Sequence, residues 1–307
     1  MLKEEVLLQK AIRPRVDDLD LSIGKKTRLH RIFEQFSPGK GRVMILPIDQ
    51  GLEHGPVDFF ENPHAANPEY QLSLAVEGNF SAIAFHIGLA EKYLKPFAGK
   101  VPVILKINGK TAIPSDAHAF SPLTGTVEDA VRLGADAVGY TLYVGSPAQD
   151  RDIHQFMEVR KEAEKYGMPV VMWAYPRGEA IQTKGGKESL YAVEYAARVA
   201  CELGADVVKV NFPKIDNEKQ KDSPAPYNTL KVTFAEAVQR VTQAAGRTFV
   251  IMSGGEKVDS EEKLLERVKI ALESGATGII FGRNLWQRPY TQGLQLAQKI
   301  SKLMAET

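Results

Sequence analysis

The stretch Leu203–Pro213, LGADVVKVNFP, places a lysine, Lys209, among the strand-forming residues Val207, Val208 and Val210, where a buried strand would be expected to stay apolar. Side chains alternate along a strand, so Val207, Lys209 and Asn211 share one face and Val208, Val210 and Phe212 the other. The second face is apolar and suits a layer of helices, which turns Lys209 the opposite way. An amine held among apolar walls and near another cation is destabilised in its charged form, so it is free more often near neutral pH. A free amine attacks a carbonyl to make a Schiff base, whose iminium withdraws electrons from the neighbouring carbon–carbon bond. The alternative is a structural lysine paired with a carboxylate such as Asp49. Lys106, in VPVILKING, competes for the same role, and strand parity does not separate the two.

Other reactive residue types fall at the ends of apolar runs. Val171, Trp173 and Tyr175 share a face in MPVVMWAYP, and Asp49 ends RVMILPID. Ser253, Gly254 and Gly255 end one run in MSGGEK, and Gly282 and Arg283 end another in FGRN. Glycines let the backbone approach an anion with its amides aimed at it, and an arginine adds a bidentate hold, which is phosphate-binding chemistry. GLEHGP contributes Glu53 and His54, but the remaining histidines have no metal-ligand spacing, so His54 reads as loop structure or a substrate hydrogen bond. TKGGK, around Lys184, reads as a mobile loop or a lid with a basic tip. NGKT at Asn108 is not the end of a P-loop, because Ile104 stands where that motif requires its first glycine.

The elements that must position these residues follow from a recurring boundary. In VEGNFSAIAFHIG, RLGADAVGYTLYVG, ELGADVVKVNFP and ESGATGIIFG an amphipathic run stops at a glycine and a strand begins within a few residues. Gly78, Gly134, Gly204 and Gly275 are the expected helix stops. Four further strands lie in RVMILPID, VPVILKING, MPVVMWAYP and RTFVIMSGG. Helical patterns include DIHQFMEVRKEAEKYG, SLYAVEYAARVACELG, TFAEAVQRVTQAAG and SEEKLLERVKIALESG, the last opening on a serine cap. Eight strands alternating with helices predict an α/β fold, a (β/α)8 TIM barrel, although a doubly wound open sheet shares much of the pattern. In such a barrel chemistry collects at the C-terminal strand ends, where the polar residues above fall. DNEKQKDSPAPYN reads as a polar loop near the site.

The 307 residues read as one domain, 1–307, with an N-terminal helical extension over 1–40 and the barrel from about 41. The extension, beginning MLKEEVLLQKAIRPRVDDLDL, has charges among its apolar positions, which excludes a secretory signal, and no stretch is apolar enough to span a bilayer. A formal net charge of +1 from 39 basic and 38 acidic residues indicates no global pull toward nucleic acid or an anionic membrane. One cysteine, Cys201, excludes internal disulfides and fits a reducing, cytoplasmic setting; it reads as a small buried apolar residue.

With LPIDQGLEHG, ILKING, TLYVGS, MWAYPRG, GADVVKV, MSGG and FGR in this order, the chain resembles the archaeal-type class I fructose-bisphosphate aldolases, the DhnA-like family, from about Val43 to Arg283. The resemblance implies a metal-independent lyase of glycolysis and gluconeogenesis with no cofactor. It would cleave fructose 1,6-bisphosphate to dihydroxyacetone phosphate and glyceraldehyde 3-phosphate, and run the reverse condensation. Carried over motif by motif, Lys209 is the Schiff-base lysine, Tyr175 the general acid/base, Asp49 the orienter of substrate hydroxyls, and Trp173 a wall of the pocket. Ser253, Gly254, Gly255, Gly282 and Arg283 would hold the phosphate of the dihydroxyacetone half, and Arg177 the other phosphate. Lys106 and His54 are kept as further substrate-binding candidates, and a neighbouring cation, an iminium or a lysine, is expected to lower the Tyr175 pKa. Partners implied are a phosphosugar, no nucleic acid, no membrane, and further copies of the chain in a homo-oligomer, a decamer by resemblance. Relatives with the same lysine and tyrosine act as 2-amino-3,7-dideoxy-D-threo-hept-6-ulosonate synthase or as a phospho-autoinducer thiolase. A non-catalytic phosphosugar-binding barrel and a zinc-dependent aldolase are the readings from outside that chemistry.

Overall fold

A computed structural model describes residues 13–307 apart from Glu256 and Asp259, so the first twelve residues of the expected extension lie outside the described residues. Eight parallel strands close into a barrel in sequence order: β1 Val43–Pro47, β2 Ala82–His86, β3 Val103–Lys106, β4 Ala137–Val144, β5 Val170–Pro176, β6 Val207–Asn211, β7 Phe249–Ser253 and β8 Gly278–Ile280. Pairing of Val43 with Gly278 joins β1 to β8 and excludes the open sheet. All eight are the strands expected from the apolar runs.

The helices expected between them are present at Gln149–Lys165, Leu190–Leu203, Phe234–Ala244 and Glu261–Glu273. Ser189, Thr233 and Ser260 cap the last three, Thr233 in a reciprocal capping box with Glu236. Gly134, Gly204 and Gly275 adopt positive φ at the helix stops. Gly78 departs from expectation: its φ is −80°, and the left-handed residue is Asn79 at +52°. Gly78 is instead held small, since a Cβ there would meet Leu74 O and the Phe80 ring at 2.7 Å. The DNEKQKDSPAPYN segment also departs, containing a helix, Asn217–Gln220, and a 3-10 turn, Tyr227–Thr229, and it borders a cavity beside the main one.

Two apolar clusters match the two faces of the strands. Outward residues such as Met44, Phe85, Tyr140, Met172, Val208 and Val210 pack with the helices. Inward residues, among them Val43, Ile104, Val171, Trp173, Val207 and Ile251, form a second cluster that continues into Leu29, Ile32 and Phe33. The helix Ile23–His30 and the turn after it therefore stopper the N-terminal end of the barrel, with Phe33 against Phe249 at a ring separation of 4.6 Å. Ion pairs fasten this stopper to the two GAD boundaries: Arg31 to Asp136 at 2.7 Å and Lys25 to Asp206 at 3.2 Å. Each of these aspartates also accepts from a neighbouring strand, Asp136 from Val103 N and Asp206 from Val170 N. Cys201 is half-buried, with its sulfur close to Gly246. Among the described residues no helix is long and apolar enough to cross a membrane.

Candidate active site

With its N-terminal end plugged by described residues, the barrel opens at the C-terminal strand ends, where a cavity of about 750 Å³ lies. Lys209 on β6 points into it. Its neighbour across the ladder is Trp173 on β5, and its Nζ sits 5.0 Å from that indole ring and 5.5 Å from the Tyr175 ring. The residue is only 4% exposed, and among the described residues its Nζ has no hydrogen bond and no ion pair. Burial pushes its pKa down; the carboxylates Asp49 and Glu53 oppose this, and Arg283 adds to the lowering. This is the environment that favours a free amine.

Lys106, which sequence parity left equivalent, is distinguished by its contacts. It is fully enclosed, with Nζ 2.5 Å from Thr141 Oγ1, 3.4 Å from Glu53 Oε1 and 3.8 Å from Asp49 Oδ2. Its ammonium lies 4.6 Å from the Trp173 ring, beneath the cavity rather than in its wall. Trp173 is thus a floor under both lysines. Room for the floor comes from Gly139 on β4, where a Cβ would meet Lys106 Cδ at 2.7 Å and Trp173 Cζ3 at 2.9 Å. Asp49 is almost fully buried at the end of β1, and its Oδ2 has no hydrogen bond among the described residues.

Tyr175 ends β5 opposite Tyr143 of β4 and faces the cavity. Burial raises its pKa well above the ordinary phenol value, and Glu53 and Asp49 raise it further; Arg177 and a hydrogen bond with Ser253 pull the other way. The expectation that a neighbouring cation would lower this pKa is therefore corrected for the free protein. Desolvation and two carboxylates outweigh the arginine, and the phenol is a proton donor at rest.

Ser253, Gly254, Gly255, Gly282 and Arg283 come together on one side of the cavity. The glycines are required by close approach: a Cβ on Gly254 would lie 2.6 Å from Phe281 Cδ1, and one on Gly282 would lie 2.8 Å from Pro47 O. Gly255 has φ of +65°. Arg177 lines the same cavity near Tyr175, with its guanidinium 2.8 Å from Asp116, to which Lys110 also binds at 2.9 Å. His54 is on the wall, its Nδ1 2.7 Å from Asp58 Oδ2. Among the described residues no group of three His, Cys, Asp or Glu side chains is placed to hold a metal ion.

Glu53, Lys110, Lys187 and Lys257 all line the cavity; sequence reasoning named Glu53 and the TKGGK tip without giving them a site role, and passed over Lys110 and Lys257. For Glu53 a signal existed, since it lies four residues after Asp49 and the short helix Gln50–Glu53 stacks the two carboxylates. Lys187 is at the end of the TKGGK loop, whose basic tip does reach the cavity. Lys110 and Lys257 are loop residues with no periodic context to mark them.

A family model described as DeoC/LacD family aldolase matches residues 43–288. The fructose-bisphosphate aldolase class 1 of Thermoproteus tenax is 40% identical over 268 residues, covering 86% of this chain and 90% of that protein. The corresponding protein of Halobacterium salinarum is 37% identical over 250 residues, covering 81% and 86%. A solved archaeal fructose-1,6-bisphosphate aldolase, with its catalytic lysine covalently bound to the carbinolamine intermediate of the substrate, aligns with a TM-score of 0.76 at 38% identity, covering 91% of this chain and 98% of that one.

Proposed function

The chain belongs to the DeoC/LacD aldolase family, and from that premise we propose how its site carries out Schiff-base cleavage of fructose 1,6-bisphosphate to dihydroxyacetone phosphate and glyceraldehyde 3-phosphate. It is a lyase whose chemistry is covalent and needs no metal. The observation that carries the residue assignment is the Lys209 amine, buried, without a polar partner among the described residues, and opening on the cavity.

Lys209 Nζ adds to the C2 ketone to form a carbinolamine. The Tyr175 phenol, protonated at rest, gives its proton to the carbinolamine oxygen, which leaves as water and generates the iminium. The phenolate left behind is a strong base and takes the C4 hydroxyl proton. The C3–C4 bond then breaks, its electron pair passing to the iminium to give an enamine, and the aldehyde half departs. Reprotonation at C3 and hydrolysis release dihydroxyacetone phosphate and restore the amine. The raised phenol pKa serves both directions of transfer: donor first, then base. Ser253, Gly254, Gly255, Gly282 and Arg283 are the proposed hold for the phosphate of the dihydroxyacetone half, with Arg177, Lys110 and Lys187 toward the other phosphate. His54, on the cavity wall, is the proposed partner of a substrate hydroxyl. Two anchors far from the scissile bond position the reacting carbons.

Residues 1–307 are read as one domain, supported by the packing of Leu29, Ile32 and Phe33 into the barrel interior. A homo-oligomer is consistent with the exposed apolar side chains Ile23, Phe60 and Ile113. A cytoplasmic setting follows from the substrate, a doubly phosphorylated sugar that does not cross a bilayer unaided. The test of the site is to incubate the protein with dihydroxyacetone phosphate, reduce with borohydride and map the mass increment. Modification at Lys209 is expected, and modification at Lys106 instead would overturn the assignment.

A further inference from the structure

Beneath the cavity two carboxylates share one ammonium. Lys106 Nζ is 3.4 Å from Glu53 Oε1 and 3.8 Å from Asp49 Oδ2, with Thr141 Oγ1 on a third side and the Trp173 ring 4.6 Å away. Lys106 and Asp49 have side-chain exposures of 0% and 1%, so bulk water screens neither charge. Glu53, at 17%, reaches the cavity. The formal sum of the three groups is one negative charge. Lys209 lies over the same Trp173 ring, at 5.0 Å, with no carboxylate of its own in ion-pair contact among the described residues.

The reaction turns Lys209 from a neutral amine into an iminium, a cation that must be tolerated in a buried place. Asp49 is the carboxylate that acts most strongly on Lys209, yet Lys106 competes for it. We propose that Glu53 is a positioning residue for the Schiff base: by neutralising Lys106 it leaves the charge of Asp49 available to the Lys209 iminium. This rests on the Schiff-base reading above and assigns Glu53 a role that no binding contact requires. Without Glu53, Lys106 and Asp49 cancel, so no net negative charge of the three groups is left for Lys209, while Arg283, itself 3.9 Å from Asp58, still disfavours a cation there. The charged and titratable groups acting on Lys209 are Asp49 and Glu53 after β1, Arg283 after β8, and the Tyr175 phenol of β5; Lys106 acts from β3 through the two carboxylates. Those acting with Glu53 are Lys106, Tyr143, Tyr175 and Lys209.

The test uses borohydride trapping with dihydroxyacetone phosphate, read as the fraction of Lys209 modified across pH. Glu53→Gln keeps size and polarity, and is expected to trap about tenfold less than wild type at subsaturating ligand, the scale of one charge acting through a partly screened site. The pH of half-maximal trapping moves down, because a less negative surrounding releases the amine proton sooner. Lys106→Met alone moves that pH up. The double variant, Glu53→Gln with Lys106→Met, again leaves Asp49 as the sole local charge, and recovers trapping to within about threefold of wild type. Near-UV circular dichroism accompanies each variant; if Glu53→Gln fails to fold, the upward shift in Lys106→Met decides the matter. Equal trapping by Glu53→Gln and wild type, or a double variant no better than Glu53→Gln, overturns the proposal. A wild-type protein unmodified at Lys209 would instead overturn the Schiff-base reading on which it rests.

Discussion

Gly139→Ala is a one-methyl perturbation of the floor beneath both lysines. The new Cβ would lie 2.7 Å from Lys106 Cδ and 2.9 Å from Trp173 Cζ3, both on side chains with no solvent exposure. Ordinary carbon contact begins near about 3.5 Å, so the lysine stem must retreat by roughly 0.8 Å and the indole edge by roughly 0.6 Å. Neither can do so freely: Lys106 is held by Thr141, Glu53 and Asp49, and Trp173 is packed among inward residues under Lys209. Overpacking of this kind costs about 1–3 kcal/mol of stability. Passed through the indole to Lys209, the proposed Schiff-base amine, a displacement of a large fraction of an ångström lowers turnover about 100-fold, equivalent to about 2.7 kcal/mol of barrier. The assay is kcat and KM for cleavage of fructose 1,6-bisphosphate, with unfolding by denaturant alongside. None of the proposed phosphate-holding residues is among the atoms the new Cβ meets, so KM is expected to change little. A variant with kcat within twofold of wild type and unaltered stability would refute the claim that a rigid indole floor positions the amine.

Tyr175→Phe is expected to lower kcat by about 100- to 10,000-fold while leaving KM nearly unchanged, as loss of an acid/base group predicts; equal losses in both constants would count against it. His86, at the end of β2, has its pKa lowered from 6.5 to about 4, first by burial and then by Lys106. Its neutral form is favoured by folding, so the contribution is fully present above pH 6.5 and is lost as pH falls through about 4. Denaturant unfolding should lose about 3 kcal/mol across that window through this residue, and His86→Gln should flatten the slope. Phe33→Ala removes the ring that stoppers the barrel against Phe249 and should cost about 3–5 kcal/mol in the same measurement; a loss below about 1 kcal/mol would mean the extension is peripheral.

Local pattern settled the strands. Alternating apolar runs and the helix-stopping boundaries mark all eight, because hydrophobic periodicity and helix termination are properties of a few neighbouring residues. Parity alone turned Lys209 inward, and glycine chemistry grouped Ser253, Gly254 and Gly255 with Gly282 and Arg283. The substrate came from resemblance rather than from periodicity. The Asn79 turn after Gly78 was not legible, since two adjacent residues compete for the left-handed position and packing against Leu74 and Phe80 decides between them.

What the sequence by itself determined about this protein is therefore its order of strands and helices and which residues face inward. Only the closed barrel separates the two lysines, because Thr141, Glu53 and Asp49 reach Lys106 from other strands and segments, while Lys209 is left to the cavity. It also decided the protonation of Tyr175: the sequence places a phenol at a strand end, but burial and the carboxylates that surround it there raise its pKa. Charge and desolvation act through space, so their balance exists only once separate segments have been brought together.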